Sequence, residues 1–291
     1  MDGIIIINKS KGCTSHDVVY KVKKLLKEKV GHTGTLDPNA TGVLPLLVGK
    51  GTGLSQYLIN HNKKYVATIK LGEKTDTADV EGKIIEECVV DDSIFDSEKI
   101  NKVLKKMIGK QKQRPPMYSA VKVNGKKLYE YARSGKVVDI PEREIEIYDL
   151  QLVNFDSINK LIMFEVFCSK GTYIRTVCEQ FAENLGTAGY MKELNRTMVG
   201  EFKIEDSVTI EELEDNISNK KFFDEHFISI EQFFINNAKL NLDKTSLNLF
   251  LNGVKLDCDI IDTLVRIYDE NDEFIGIGSV NSRKLKRNII I

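Results

Sequence analysis

At 291 residues with 42% hydrophobic content, the chain is long enough to bury a substantial core, and its length fits one large unit plus a small one. No apolar run approaches the roughly 20 residues of a spanning helix, and the start lacks the basic flank of a signal peptide, so a cytoplasmic location is expected. The five cysteines and four histidines show neither C-x-x-C pairs nor ligand spacing, which argues against a disulfide framework and a metal.

A net charge of −1 speaks against a nucleic-acid partner, but the charge is segregated. Residues 102–136 carry eleven basic residues against the single acid Glu130, whereas 201–231 carry ten acids and three lysines. Charge sorted this way presents a basic face to RNA and turns the acidic face away.

In chain order, Thr14 or Ser15 is expected to cap a helix carrying Val18, Val22, Leu25 and Leu26 and ending at Gly31. The loop that follows, Gly31 to Pro45, presents Asp37 among glycines and prolines, with the apolar run Val43–Val48 as a buried strand behind it. Asp37 reads either as a catalytic group on a mounted loop or as an Asx turn bonding its own backbone. A short helix over 52–59 precedes a strand that places Tyr65, Ala67, Ile69 and Leu71 on one face. A strand over 83–90 and a helix with Ile100, Val103, Leu104, Met107 and Ile108 come next, then a loop over 111–118. The Asn124-Gly125 turn completes a projecting basic finger over 102–136. Long strands over 143–154 and 161–168 lead to a helix capped by Thr172 that bears Arg175 in its first turn. Beyond residue 236 the texture changes to five short strands, the pattern of a small β-barrel.

Five blocks in order resemble the TruB family, the bacterial tRNA pseudouridine 55 synthases. They are Asn8-Lys9 with Gly12, Thr14 and Ser15; Gly31-His32-Thr33-Gly34-Thr35-Leu36-Asp37-Pro38; Lys64-Tyr65 with Leu71-Gly72 and Thr75-Asp76-Thr77-Ala78-Asp79; Gln113-Arg114-Pro115-Pro116 with Ser119-Ala120 and Lys122; and Ser169 to Thr176. Ser10 departs from the proline usual after that lysine. The resemblance implies an α+β pseudouridine synthase fold with a mixed, largely antiparallel sheet flanked by helices. It implies a catalytic domain over 1–235 and a PUA-like RNA-binding module over 236–291.

It further implies isomerisation of uridine 55 in the T-loop of tRNA, without guide RNA. The C1′–N1 bond breaks and the base is rejoined through C5, so no redox cofactor or ATP is needed. Asp37 is the nucleophile or base of the family, and Arg175 its partner. Tyr65 is either core or a ring that stacks on the flipped uracil and assists C5 deprotonation. His32 stacks near extruded nucleotides or is a satisfied loop histidine, Leu194 packs on the uracil pocket, and Lys9 steadies the loop or a phosphate. Lys122, Lys126 and Lys127 in the finger are expected to grip the T-arm, with the protein acting as a monomer. Two rivals stand: a non-catalytic RNA-binding or RNA-folding protein, and a guide-dependent ribosomal RNA pseudouridine synthase. The Gly49-Lys50-Gly51-Thr52 stretch lacks the spacing of a P-loop.

Overall fold

The computed structural model describes residues 1–136 and 138–291. Strand β1 (Gly3–Lys9) is apolar at successive positions because both its faces are covered. Ile4 and Ile6 enter one core and Ile5 and Ile7 another. A capping box between Thr14 and Asp17 opens α1 (Ser15–Leu26), and Lys27 in the left-handed region closes it, short of the expected stop at Gly31. Gly31 lies instead in β2 (Val30–His32), which pairs with β3 (Thr41–Val48). A 3-10 turn (Gly49–Leu54) and α2 (Ser55–Leu58) lead to β4 (Lys63–Leu71), whose Tyr65, Ala67, Ile69 and Leu71 are buried as the alternation predicts.

The small hairpin β5 (Glu73–Thr75) and β6 (Ile84–Glu87) replaces the longer strand expected over 83–90, and β6 is exposed throughout. Asp96 caps α3 (Ser97–Lys106), which buries Ile100 and Leu104 and ends before Ile108. Gly109 to Gln113 then forms β7 at the sheet edge, where a loop from residue 111 was expected. Beyond it, β8 (Lys122–Val123) and β9 (Lys126–Lys127) flank Asn124-Gly125, both at positive φ as a two-residue hairpin requires, and α4 (Leu128–Arg133) follows. Residues 102–136 are therefore not one finger. Lys102, Lys105 and Lys106 belong to α3, and Lys110 and Lys112 to the main sheet. Only the part from Arg114 onward stands off that sheet, around its own small core of Val121, Leu128 and Ile140.

The chain continues through β10 (Arg143–Asp156), β11 (Leu161–Cys168), α5 (Ile174–Asn184), β12 (Gly189–Val199) and β13 (Phe202–Lys203). Then come α6 (Ile210–Asp215), α7 (Lys220–His226), β14 (Phe227–Ser229) and α8 (Ile230–Phe233). The main sheet runs β14-β1-β3-β12-β4-β11-β10-β7, with β13 beside β12 and β2 beside β3. Its pairings are antiparallel except β12 with β3, so the sheet is mixed and largely antiparallel as expected.

A second sheet, β15-β17-β18-β19-β16, holds β15 (Ala238–Asn241), β16 (Leu256–Asp257), β17 (Thr263–Tyr268), β18 (Phe274–Asn281) and β19 (Lys284–Ile290). The Asp243-capped helix α9 (Lys244–Leu251) inserts between β15 and β16, an element the short-strand pattern did not reveal. This curled sheet is open, its end strands β15 and β16 unpaired with each other, and forms a half-barrel in the place of the expected small C-terminal barrel. It has its own core of Leu242, Phe250, Val265, Ile267, Val280 and Leu285. Ile277 and Ile289 leave that core and join Ile4, Leu47, Leu54 and Phe234 in a cluster shared with the main sheet.

Candidate active site

The loop between β2 and β3 is tethered by groups from the first thirty residues. Lys9 is fully buried, and its ammonium donates to the carbonyls of Ser10 (3.0 Å), Pro38 (3.0 Å) and Ala40 (2.6 Å). Ser15 exchanges two bonds with Leu36, and the Gly12 amide donates to Pro38 O at 2.9 Å. Lys9 thus steadies the loop, one of its two expected roles, through backbone carbonyls. Gly42 closes the loop at φ +104, where a Cβ would lie 2.2 Å from Arg196 O, so only glycine fits.

The tethered loop delivers Asp37 to a cavity of about 850 Å³. Its carboxylate meets Arg175 rather than its own backbone: Nε lies 3.1 Å from Oδ2 and Nη2 3.4 Å from Oδ1. Arg175 projects from the first turn of α5, whose cap is Tyr173 and not Thr172, the latter hydroxyl donating to Ser169 O. Its guanidinium is buried and also donates to Tyr118 O (2.9 Å) and Thr77 O (3.3 Å). Nη1 further lies 3.5 Å from Asp79 Oδ2. Burial pushes the Asp37 carboxyl up; Arg175 opposes this, Asp79 adds to it, and Lys9 opposes it again, so the net direction is upward.

Tyr65 lies across the cavity, opposite Arg196 in the β4–β12 ladder. Burial pushes its phenol up to about 12, so it is neutral at physiological pH and Arg196 faces its oxygen. Leu194 lines the same cavity from β12. His32 lines it from β2, its Nδ1 buried without a protein partner and its imidazole kept neutral by burial and by Arg196. Lys122 and Lys126 are exposed on the β8–β9 hairpin, outside the cavity lining, and Lys127 reaches the Tyr129 hydroxyl at 3.2 Å. No group of residues able to hold a metal ion occurs among the described residues.

The chain is 42% identical to tRNA pseudouridine synthase B of Bacillus cereus, over 95% of this chain and 92% of that protein. It is 41% identical to the protein of the same name from Caldanaerobacter subterraneus, over 98% of both. Residues 22–174 match the profile described as TruB family pseudouridylate synthase (N terminal domain). The chain belongs to the TruB family. Residues 175–235 and 238–286 match two further profiles, the tRNA pseudouridylate synthase B C-terminal domain and the C-terminal domain of pseudouridine synthase II TruB. Among solved structures, the Cbf5-Nop10-Gar1 complex contains a chain superposing with a TM-score of 0.69 at 27% identity, over 99% of this chain and 83% of that one.

In this TruB chain, several polar groups had no role assigned from the sequence, among them Ser119 and Arg196 in the cavity lining and Asp79, which reaches Arg175 from outside it. Asp79 stood in a motif block with nothing to say that the β5–β6 connection folds over Arg175. Arg196 lies two residues after Leu194, and that period-2 spacing on one strand face was the available signal.

Proposed function

We propose that the protein isomerises uridine 55 in the T-loop of tRNA to pseudouridine, without a guide RNA. The observation that carries this reading is the Asp37–Arg175 pair inside the cavity, facing a buried Tyr65. Asp37 starts the reaction, by attack at C1′ or C6 or by removal of a ribose proton; its ionised form is held against desolvation by Arg175. The C1′–N1 bond breaks, the uracil turns, and C1′ bonds to C5. The C5 proton then leaves and N1 carries a proton in the product. Tyr65 stacks on the base, and its hydroxyl assists C5 deprotonation, while Leu194 closes the apolar side. His32 meets the extruded nucleotides, since a T-loop uridine must leave its stack to reach Asp37.

We assign residues 1–235 to catalysis and 236–291 to RNA contact along the acceptor arm, with Lys122, Lys126 and Lys127 on the T-arm and the cytoplasm as the site of action. The tRNA substrate is supported by the names of relatives about 40% identical over nearly the whole chain. The test is incubation of the purified protein alone with an unmodified tRNA transcript, followed by position-by-position mapping of pseudouridine. Product at uridine 55 is expected. Product only after addition of a guide RNA would transfer the protein to the guide-dependent class, and RNA binding without product to the non-catalytic one.

A further inference from the structure

Part of the cavity lining beside Gly34 is built from cations that form no ion pair among the described residues. Lys63 opens β4 and Arg196 stands on β12, and both are buried. A Cβ placed on Gly34 would lie 3.4 Å from Arg196 Nη1 and 4.0 Å from Lys63 Cε, so the two side chains converge beside the Asp37 loop. Lys170, exposed after β11, completes this part of the lining and donates to Asn60 Oδ1.

All the protein acceptors found for these cations are neutral. Lys63 donates to His61 O at 2.6 Å, and Arg196 to Val43 O at 2.8 Å and Gly34 O at 3.0 Å. No carboxylate forms an ion pair with Lys63, Lys170 or Arg196 among the described residues, although Glu144 borders the same cavity. The groups facing Lys63 are Arg196 from β12, Cys168 from β11, Lys170 beyond it and His61 just before β4, whose imidazole is pushed down by burial and by Lys63. Burial pushes the Cys168 thiol up to about 11, so it supplies no negative charge at neutral pH. Desolvation, then Arg196, bring the Lys63 amine down to about 8. A desolvated, unbalanced cation pair is stabilised by an incoming anion and by little else.

We propose that Lys63 and Lys170, with Arg196 behind them, form a subsite for one backbone phosphodiester of the bound RNA, beside the nucleotide presented to Asp37. This rests on the reading of the cavity as the pseudouridylation site. The phosphate supplies the missing counter-charge and raises the Lys63 pKa, so RNA binding takes up a proton when the free amine is neutral. Affinity is therefore complete below about pH 8 and falls as pH rises through that value.

The test titrates a fluorescently labelled, unmodified tRNA transcript onto the full-length protein and its Lys63→Gln and Lys63→Arg variants, over a range of salt and between about pH 6.5 and 9.5. Lys63→Gln should flatten the slope of log affinity against log salt by about 0.7 to 0.9 and remove the alkaline fall. Lys63→Arg should keep the wild-type slope and also lose the alkaline fall, because arginine does not titrate there. An unchanged slope in Lys63→Gln, or a wild-type alkaline fall in Lys63→Arg, overturns the subsite. Melting curves check each variant; if Lys63→Gln does not fold, the exposed Lys170→Gln takes its place and must flatten the slope in the same way. Pseudouridine formation by the wild type on the same transcript is measured alongside. Absence of that product refutes the reading of the cavity, whereas product with an unchanged variant slope refutes the subsite alone.

Discussion

Asp79 reaches Arg175 from a different element than Asp37 does, its Oδ2 lying 3.5 Å from Nη1 while Asp37 Oδ2 lies 3.1 Å from Nε. One guanidinium is thereby shared by two carboxylates, and Asp79 is itself fixed by the Thr77 hydroxyl (2.6 Å) and the Glu81 amide (3.1 Å). Asp79 orients the fork that in turn orients Asp37.

Asp79→Asn should therefore lower kcat by about 10- to 100-fold, the scale of a small misplacement of a reacting group, with tRNA affinity within about threefold. The charge of Asp79 raises the Asp37 pKa, so its removal should also move the acid limb of the activity profile to lower pH. Single-turnover rates across pH read both effects, and wild-type rates would remove Asp79 from the machinery.

Asp37→Asn should abolish isomerisation and leave tRNA binding within about tenfold, since shape is retained and the reacting carboxylate is lost. The folded-state pKa of Asp37 lies above its ordinary value, so its ionised form costs stability once the pH exceeds that folded pKa. The variant should melt higher than wild type at neutral pH, with the gap closing in acid. Calorimetry at the two pH values measures this.

Tyr65→Phe should bind tRNA nearly as wild type does yet form little pseudouridine, whereas Tyr65→Leu should be inactive and engage the flipped base more weakly. Release of tritium from C5-labelled uridine, measured beside binding, separates the two. Full release by the phenylalanine variant removes the proton-transfer role, and full release by the leucine variant returns Tyr65 to the core.

Neutralising Lys122, Lys126 and Lys127 together should flatten the salt dependence of tRNA affinity by roughly one unit per lost phosphate contact. Lys122 and Lys126 are exposed on the β8–β9 hairpin, where such contacts are open to RNA. An unchanged slope would place the T-arm elsewhere.

Local signals carried much of the fold. The Thr14 cap, the alternation from Tyr65 to Leu71 and the Asn124-Gly125 turn are decided by neighbours in sequence, and each forms where the residues require it. Gln111 to Gln113 reads in sequence as the start of the loop with two prolines; pairing of Gly109–Gln113 with Arg143–Ile147 across thirty residues makes it a strand. The same limit applied at the site. Asp37 and Arg175 stood in recognisable blocks, but Asp79, Lys63 and Arg196 gain their meaning from three elements meeting around Gly34 and Arg175. For Lys9 the sequence left loop support and phosphate contact both open, because the loop carbonyls that accept from its ammonium lie about thirty residues away.

The seam formed by Ile277 and Ile289 against Leu54 and Phe234 fixes the small half-barrel to the sheet that carries the Asp37 loop, and Asn288 locks to the Tyr57 hydroxyl at its margin. The C-terminal sheet and the sheet behind the Asp37 loop thus share one apolar seam, so if residues 236–291 contact RNA as proposed above, that contact and the uridine at Asp37 are held at a set spacing.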